Sequence, residues 1–167
     1  MARILVVDDE AGILDTTRQF LERAGHTVHT AMNVSAAIGH IEENHFDVVV
    51  SDIIMPGMTG IDLLRRLRDI SPYSKTILIT GEPNLETAAE AVRQGAFDYL
   101  SKPISRDSLC KTVETALVVK ALEDKTRNYH EDLEEQVQVR TEKLRRALYS
   151  IIDVLGKTVE VRDPYTA

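Results

Sequence analysis

Short aliphatic and β-branched runs alternate with amphipathic stretches along the first hundred residues of the chain. Residues 3–7, 26–31, 46–51, 75–80 and 97–101 read as strands, and 11–24, 34–44, 61–69 and 85–94 as helices between them. A further helix follows Pro103, which completes five strand–helix repeats. Runs such as Ile4-Leu5-Val6-Val7 and Val48-Val49-Val50 are apolar without alternation, the pattern of strands covered on both faces. That predicts a doubly wound α/β fold around a parallel sheet. Gly25 and Gly95 each fall between a helix and the next strand, where a C-cap residue adopts positive φ.

The pattern changes beyond Pro103. All but one of the 8 glycines and all but one of the 5 prolines lie in residues 1–103, and 104–155 contains neither. One uninterrupted helix is allowed there, and its 52 residues would extend about 78 Å at 1.5 Å each. Leu122, Thr126, Tyr129 and Leu133, then Val137, Thr141, Leu144, Leu148, Ile151 and Leu155, form a heptad seam with one extra four-residue step at 133–137. A self-associating coiled coil is expected, as a parallel homodimer.

Composition narrows the function classes. Basic residues number 20 against 27 acidic, a net charge of -7, and no basic cluster suits a phosphate backbone, so nucleic acid is not an expected partner. No apolar run approaches the roughly 18 residues of a membrane helix, and the run behind Met1-Ala2-Arg3 stops at Asp8-Asp9-Glu10, too short for an export signal. Cys110 is the only cysteine, so no internal disulfide can form, and a reducing cytoplasm is the expected location. Its ordinary role is a half-buried small apolar residue. His26, His29, His40, His45 and His130 are scattered without the paired spacing of a metal site.

In an open parallel sheet, ligands gather beyond the carboxyl ends of the strands. Asp8 and Asp9 follow the first strand and Asp52 the third, so three carboxylates converge if those strands are neighbours. Singly, such residues are more often caps or turns. Together they repel, by about 4 kcal/mol per pair at 4 Å and an effective dielectric near 20, unless a hard cation joins them. Mg²⁺ suits oxygen donors of this kind. Lys102 after the fifth strand and Thr80 at the end of the fourth bring an ammonium and a hydroxyl to the same pocket. A carboxylate nucleophile can form an aspartyl-phosphate when a metal screens it and a fixed cation holds the phosphoryl oxygens, and Asp52 is the natural candidate.

The pair Asp8-Asp9, the motif Asp52-x-x-Met55-Pro56-x-Met58-x-Gly60, Thr80-Gly81, and Gly95-Ala96-x-Asp98-Tyr99-Leu100-x-Lys102-Pro103 resemble the receiver domain of two-component response regulators over residues 1–120. The resemblance implies a flavodoxin-like sheet of order 2-1-3-4-5 and an Asp52 that accepts a phosphoryl group from a histidine kinase or phosphotransfer protein. It also implies Mg²⁺ held by Asp8, Asp9, Asp52 and the Ile54 backbone carbonyl. Lys102 and Thr80 would meet the phosphoryl group, and Thr80 and Tyr99 would switch conformation. Within a linker helix expected over 121–155, Asp132-Leu133-Glu134-Glu135-Gln136-Val137 through Arg140-Thr141-Glu142-Lys143-Leu144 is similar to the coiled coils that join sensor and output domains. The stretch from Val159-Glu160-Val161-Arg162-Asp163-Pro164 to Ala167, within a segment 156–167, is similar to the opening of HD-GYP cyclic-di-GMP phosphodiesterase domains. The expectation is a cytoplasmic phosphoacceptor, not itself an enzyme, that relays a conformational signal to an output domain. Two alternatives stand beside it. A haloacid-dehalogenase-type phosphatase would need Asp-x-Asp after the first strand, which Asp8-Asp9-Glu10 does not supply, and an inert receiver-like scaffold would leave the acid, Thr and Lys set unused.

Overall fold

The computed structural model describes residues 1–82 and 85–160. The chain divides into two compact units, Met1–Leu122 and Glu123–Ala167. In the first, strands β1 (Arg3–Val7), β2 (Thr27–Ala31), β3 (Val48–Asp52), β4 (Lys75–Thr80) and β5 (Asp98–Ser101) alternate with helices α1 (Ala11–Arg23), α2 (Val34–Glu43), α3 (Gly60–Ile70) and α4 (Leu85–Arg93). Helix α5 (Arg106–Glu160) begins in this unit and continues through the second. All strand pairs are parallel, in the order β2-β1-β3-β4-β5.

The unbroken apolar strands follow from this layering. Ile4, Val6, Val48, Val50, Ile77 and Ile79 face α1 and α5, packing on Leu14, Leu21, Leu109, Val113 and Ala116. Leu5, Val7 and Val49 face the other way, onto α2 and α3 through Val34, Ala37, Ile41, Leu63 and Leu67. A smaller cluster of Ile53, Leu64, Leu78 and Ala91 seats α3 and α4, with Tyr99 at its margin. Strands β2 and β5 are only half-buried because they are the edges. Gly25 and Gly95 take φ of 90° and 86°, as their positions between helix and strand demand.

The second unit contains the helical residues beyond Leu122. Seam residues Leu133, Val137, Leu144, Leu148 and Ile151 are exposed in the single chain. The continuation resembling an output domain falls largely on residues 161–167, which lie outside the described residues. Among the described residues, no helix is long and apolar enough to cross a membrane.

Candidate functional site: an acidic pocket with one shared ammonium

Strand register assembles the pocket. Val7 pairs with Ser51, so Asp8 and Asp52 leave adjacent strand tips side by side, and Asp52 pairs with Ile79, so Thr80 lies one step beyond it. Thr80 pairs with Ser101, which delivers Lys102 to the same rim. One carboxylate oxygen from each of Asp8, Asp9 and Asp52 falls within 4.8 Å of the others. Asp8 and Asp52 are buried, and Asp9 is half-buried.

Lys102 Nζ stands between the two buried acids, 2.9 Å from Asp8 Oδ2 and 2.7 Å from Asp52 Oδ2. The Glu10 amide donates to Asp8 Oδ1 at 2.9 Å and the Ile54 amide to Asp52 Oδ1 at 3.3 Å. Burial drives the Asp8 carboxyl above its ordinary range, with Asp52 adding to the rise, and the Glu10 amide and Lys102 offset only part of it. For Lys102, burial works to lower the amine, but the two carboxylates outweigh it and hold the ammonium above its usual value. The amine is therefore a fixed cation at neutral pH, outnumbered by carboxylates.

The loop after β3 is shaped by two glycines for different reasons. Gly57 has φ of 85°, a left-handed turn residue. Gly60 is the first residue of α3, and a Cβ there would lie 2.1 Å from the Asp52 carbonyl oxygen. Its amide donates to the Ile53 carbonyl at 3.0 Å, closing the loop. The demand at Gly60 is for space against the Asp52 backbone. Helix α3 also starts on an unforeseen capping box, in which Thr59 Oγ1 accepts from the Asp62 amide and the Asp62 carboxylate accepts from the Thr59 amide. The spacing Thr-x-x-Asp carried that signal.

The other expected residues are placed as follows. Thr80 is buried, and its hydroxyl accepts from the Glu82 amide at 3.1 Å. Tyr99 is half-buried on β5, and its hydroxyl oxygen is buried without a hydrogen-bond partner among the described residues. The Ile54 side chain is exposed at the mouth of the pocket loop. Cys110 is half-buried, its Sγ 3.9 Å from the Phe20 carbonyl. The histidines, scattered in sequence, are not all scattered in space. His29 and His40 meet edge-on with ring centroids 6.0 Å apart, and His29 packs on Phe46.

Residues 4–114 match the family of response regulator receiver domains. NtrC of Azospirillum brasilense, described as a DNA-binding transcriptional regulator, is 37% identical over 116 residues, which is 70% of this chain and 24% of that protein. This chain thus spans about a quarter of the length of such curated relatives. A CheY-like receiver from Methanospirillum hungatei superposes with a TM-score of 0.71 at 33% identity, covering 74% of this chain and 98% of that one. The receiver of an HD domain-containing protein from Pseudomonas fluorescens superposes with a TM-score of 0.69 at 32% identity, covering 72% of this chain and 97% of that one. With its sheet order, its acid pocket and a match over most of its length, this chain belongs to the response regulator receiver domain family.

Proposed function

We propose that Asp52 accepts a phosphoryl group from a histidine kinase or phosphotransfer protein, with a divalent cation in attendance. The observation that carries this is the single Lys102 ammonium shared between Asp8 and Asp52. A fixed cation already touches the nucleophile, where it can receive phosphoryl oxygens. In the transfer, an Asp52 oxygen forms a bond to phosphorus as the phosphorus–nitrogen bond to the donor imidazole breaks, and that nitrogen keeps the electron pair.

The donor set fits Mg²⁺, since it offers only oxygen and an unmet excess of negative charge. Asp8, Asp9, Asp52 and the Ile54 carbonyl are the residues that would hold it. When bound, it would screen the carboxylates and polarise the phosphoryl group. Thr80 and Tyr99 would then report the modification. Tyr99 suits a side chain with a second position, because its buried hydroxyl has no partner among the described residues where it stands.

The exposed seam on α5 supports a homodimer in which a second copy covers Leu133, Val137, Leu144, Leu148 and Ile151. We read the helix as the route to an output domain. An HD-GYP-type phosphodiesterase is favoured by residues 159–167 and by the HD domain-containing protein whose receiver resembles this one. The test of the acceptor is mass spectrometry after incubation with a small phosphodonor. The wild type should gain one phosphoryl adduct only with Mg²⁺, and Asp52→Asn none. Equal labelling of both, or labelling in EDTA, would refute the assignment.

A further inference from the structure

Glu10 follows the acid pair, and its side chain has no role in the chemistry above. It occupies the N-cap position of α1, yet its side chain makes no capping hydrogen bond. Its carboxylate instead lies 3.8 Å from Lys102 Nζ, the same atom that is 2.7 Å from Asp52 Oδ2. The two spans share one atom, so the Glu10 carboxylate can be no farther from that of Asp52 than their sum. The Glu10 side chain is 66% exposed, whereas Asp52's is almost fully buried. A negative charge thus stands on the solvent side of the nucleophile, held toward the cation that any phosphoryl group must share.

We propose that Glu10 is a specificity-determining residue that disfavours free dianionic phosphodonors. The proposal rests on Asp52 being the phosphoacceptor. A donor reaches the buried Asp52 past this rim, and each negative charge on it is repelled by the fixed carboxylate. The repulsion is one of approach through solvent, so it is weakened by salt and scales with donor charge. It does not act on hydrolysis by water, which is neutral. A macromolecular donor can offset it with cationic side chains around its phosphoryl group, and a free acyl phosphate cannot. Glu10 would therefore favour protein donors over small metabolites of the acyl phosphate class.

The experiment measures labelling rates of the full chain at saturating Mg²⁺ with acetyl phosphate, a dianion at neutral pH, and with phosphoramidate, which carries less net negative charge. An Asp52 oxygen–phosphorus bond forms, and the phosphorus–oxygen or phosphorus–nitrogen bond of the donor breaks, with acetate or ammonia leaving. For a dianion about 6 Å from one charge in a high dielectric, Glu10→Gln should label about sixfold faster with acetyl phosphate near 0.02 M salt, and Glu10→Lys about thirtyfold faster. The ratios should fall toward one by about 0.5 M salt and be smaller with phosphoramidate. Dephosphorylation rates should change less than twofold. Neither variant loses a cap bond, so both should fold. Equal rates in wild type and variants, ratios that ignore salt, or equal ratios for both donors would overturn the proposal. If the wild type labels at no residue or labels equally as Asp52→Asn, the acceptor assignment itself fails.

Discussion

The two ends of the sheet treat charge in opposite ways. At the carboxyl ends of the strands, Asp8, Asp9 and Asp52 cluster, Asp8 and Asp52 share one ammonium, and the buried Asp8 carboxyl is pushed up in pKa. At the amino ends, Asp47 precedes β3 and is fully engaged. Its carboxylate accepts from the Arg3 amide at 2.8 Å and pairs with the buried Lys120 of α5 at 3.7 Å, while its backbone bonds to Arg3 and Lys75. At one end the carboxylates outnumber the ammonium they surround, and at the other Asp47 meets the buried ammonium of Lys120. The end with the excess charge is the one that can gain by binding a cation and a phosphoryl group, whereas the balanced end gains only stability.

The largest effect expected from breaking this contrast comes from Gly60→Ala. A Cβ 2.1 Å from the Asp52 carbonyl oxygen must displace the backbone that carries the nucleophile. A loss of about 3 kcal/mol, the upper range for overpacking, should accompany loss of labelling at Asp52, read by denaturant titration and mass spectrometry. Stable protein that labels at the wild-type rate would show that the loop yields freely.

At the balanced end, Asp47→Ala should cost about 2 kcal/mol, less than the roughly 3–5 of a fully buried pair because Asp47 is partly open to solvent. Lys120→Met should cost less than half of that, since it leaves a carboxylate that water reaches rather than a buried ammonium. Both variants should label Asp52 within twofold of wild type. A large labelling defect would mean that the two ends are not separable.

Asp8→Asn should do the reverse of Asp47→Ala and stabilise the protein without divalent cation. Because folding raises the Asp8 pKa, the native state binds the proton more tightly, and stability falls as pH rises through the window above the ordinary carboxylate value. The gain from Asp8→Asn should therefore be full at neutral pH and vanish as the pH falls below that window. Thermal unfolding with and without Mg²⁺ adds a second check, since Mg²⁺ should stabilise the wild type more than the variant. A variant less stable than wild type at pH 7 in EDTA would contradict the account of the pocket.

A smaller effect than that of Gly60→Ala or Asp47→Ala is expected at the α3 cap. Thr59→Ala should cost about 1 kcal/mol by removing the capping box. The Thr59 amide and hydroxyl hold the Asp62 carboxyl below its ordinary value, so this contribution is present above that value and lost as pH falls through the lowered one. Equal stability of Thr59→Ala and wild type at pH 7 would show the cap to be idle.

The strands and the acid pocket were legible because both follow from local rules. A β-branched run such as Val48-Val49-Val50 admits few alternatives, and in a parallel sheet the acids one or two residues beyond such runs, Asp8 and Asp52, must face the binding edge. Lys120 was not legible. A lysine within an amphipathic helix reads as solvated, and only the fold brings it to Asp47. The demand on Gly60 was not legible either, since it is a distance to the backbone of a residue eight positions earlier. His29 and His40 likewise meet only after β2 and α2 are packed.

The anchoring of α5 also has a thermal consequence. The cost of stripping water from charged groups declines on heating, so a buried pair such as Asp47–Lys120 holds better, relative to apolar contacts, as temperature rises. Helix α4 has no such anchor, since among its described residues only Ala91 is buried, and its bridge to α3, Arg65 to Glu90 at 3.1 Å, lies in partly exposed side chains. Warming should therefore loosen α4 before the root of α5, leaving the helix that leads out of the domain in place while the face beside Tyr99 softens.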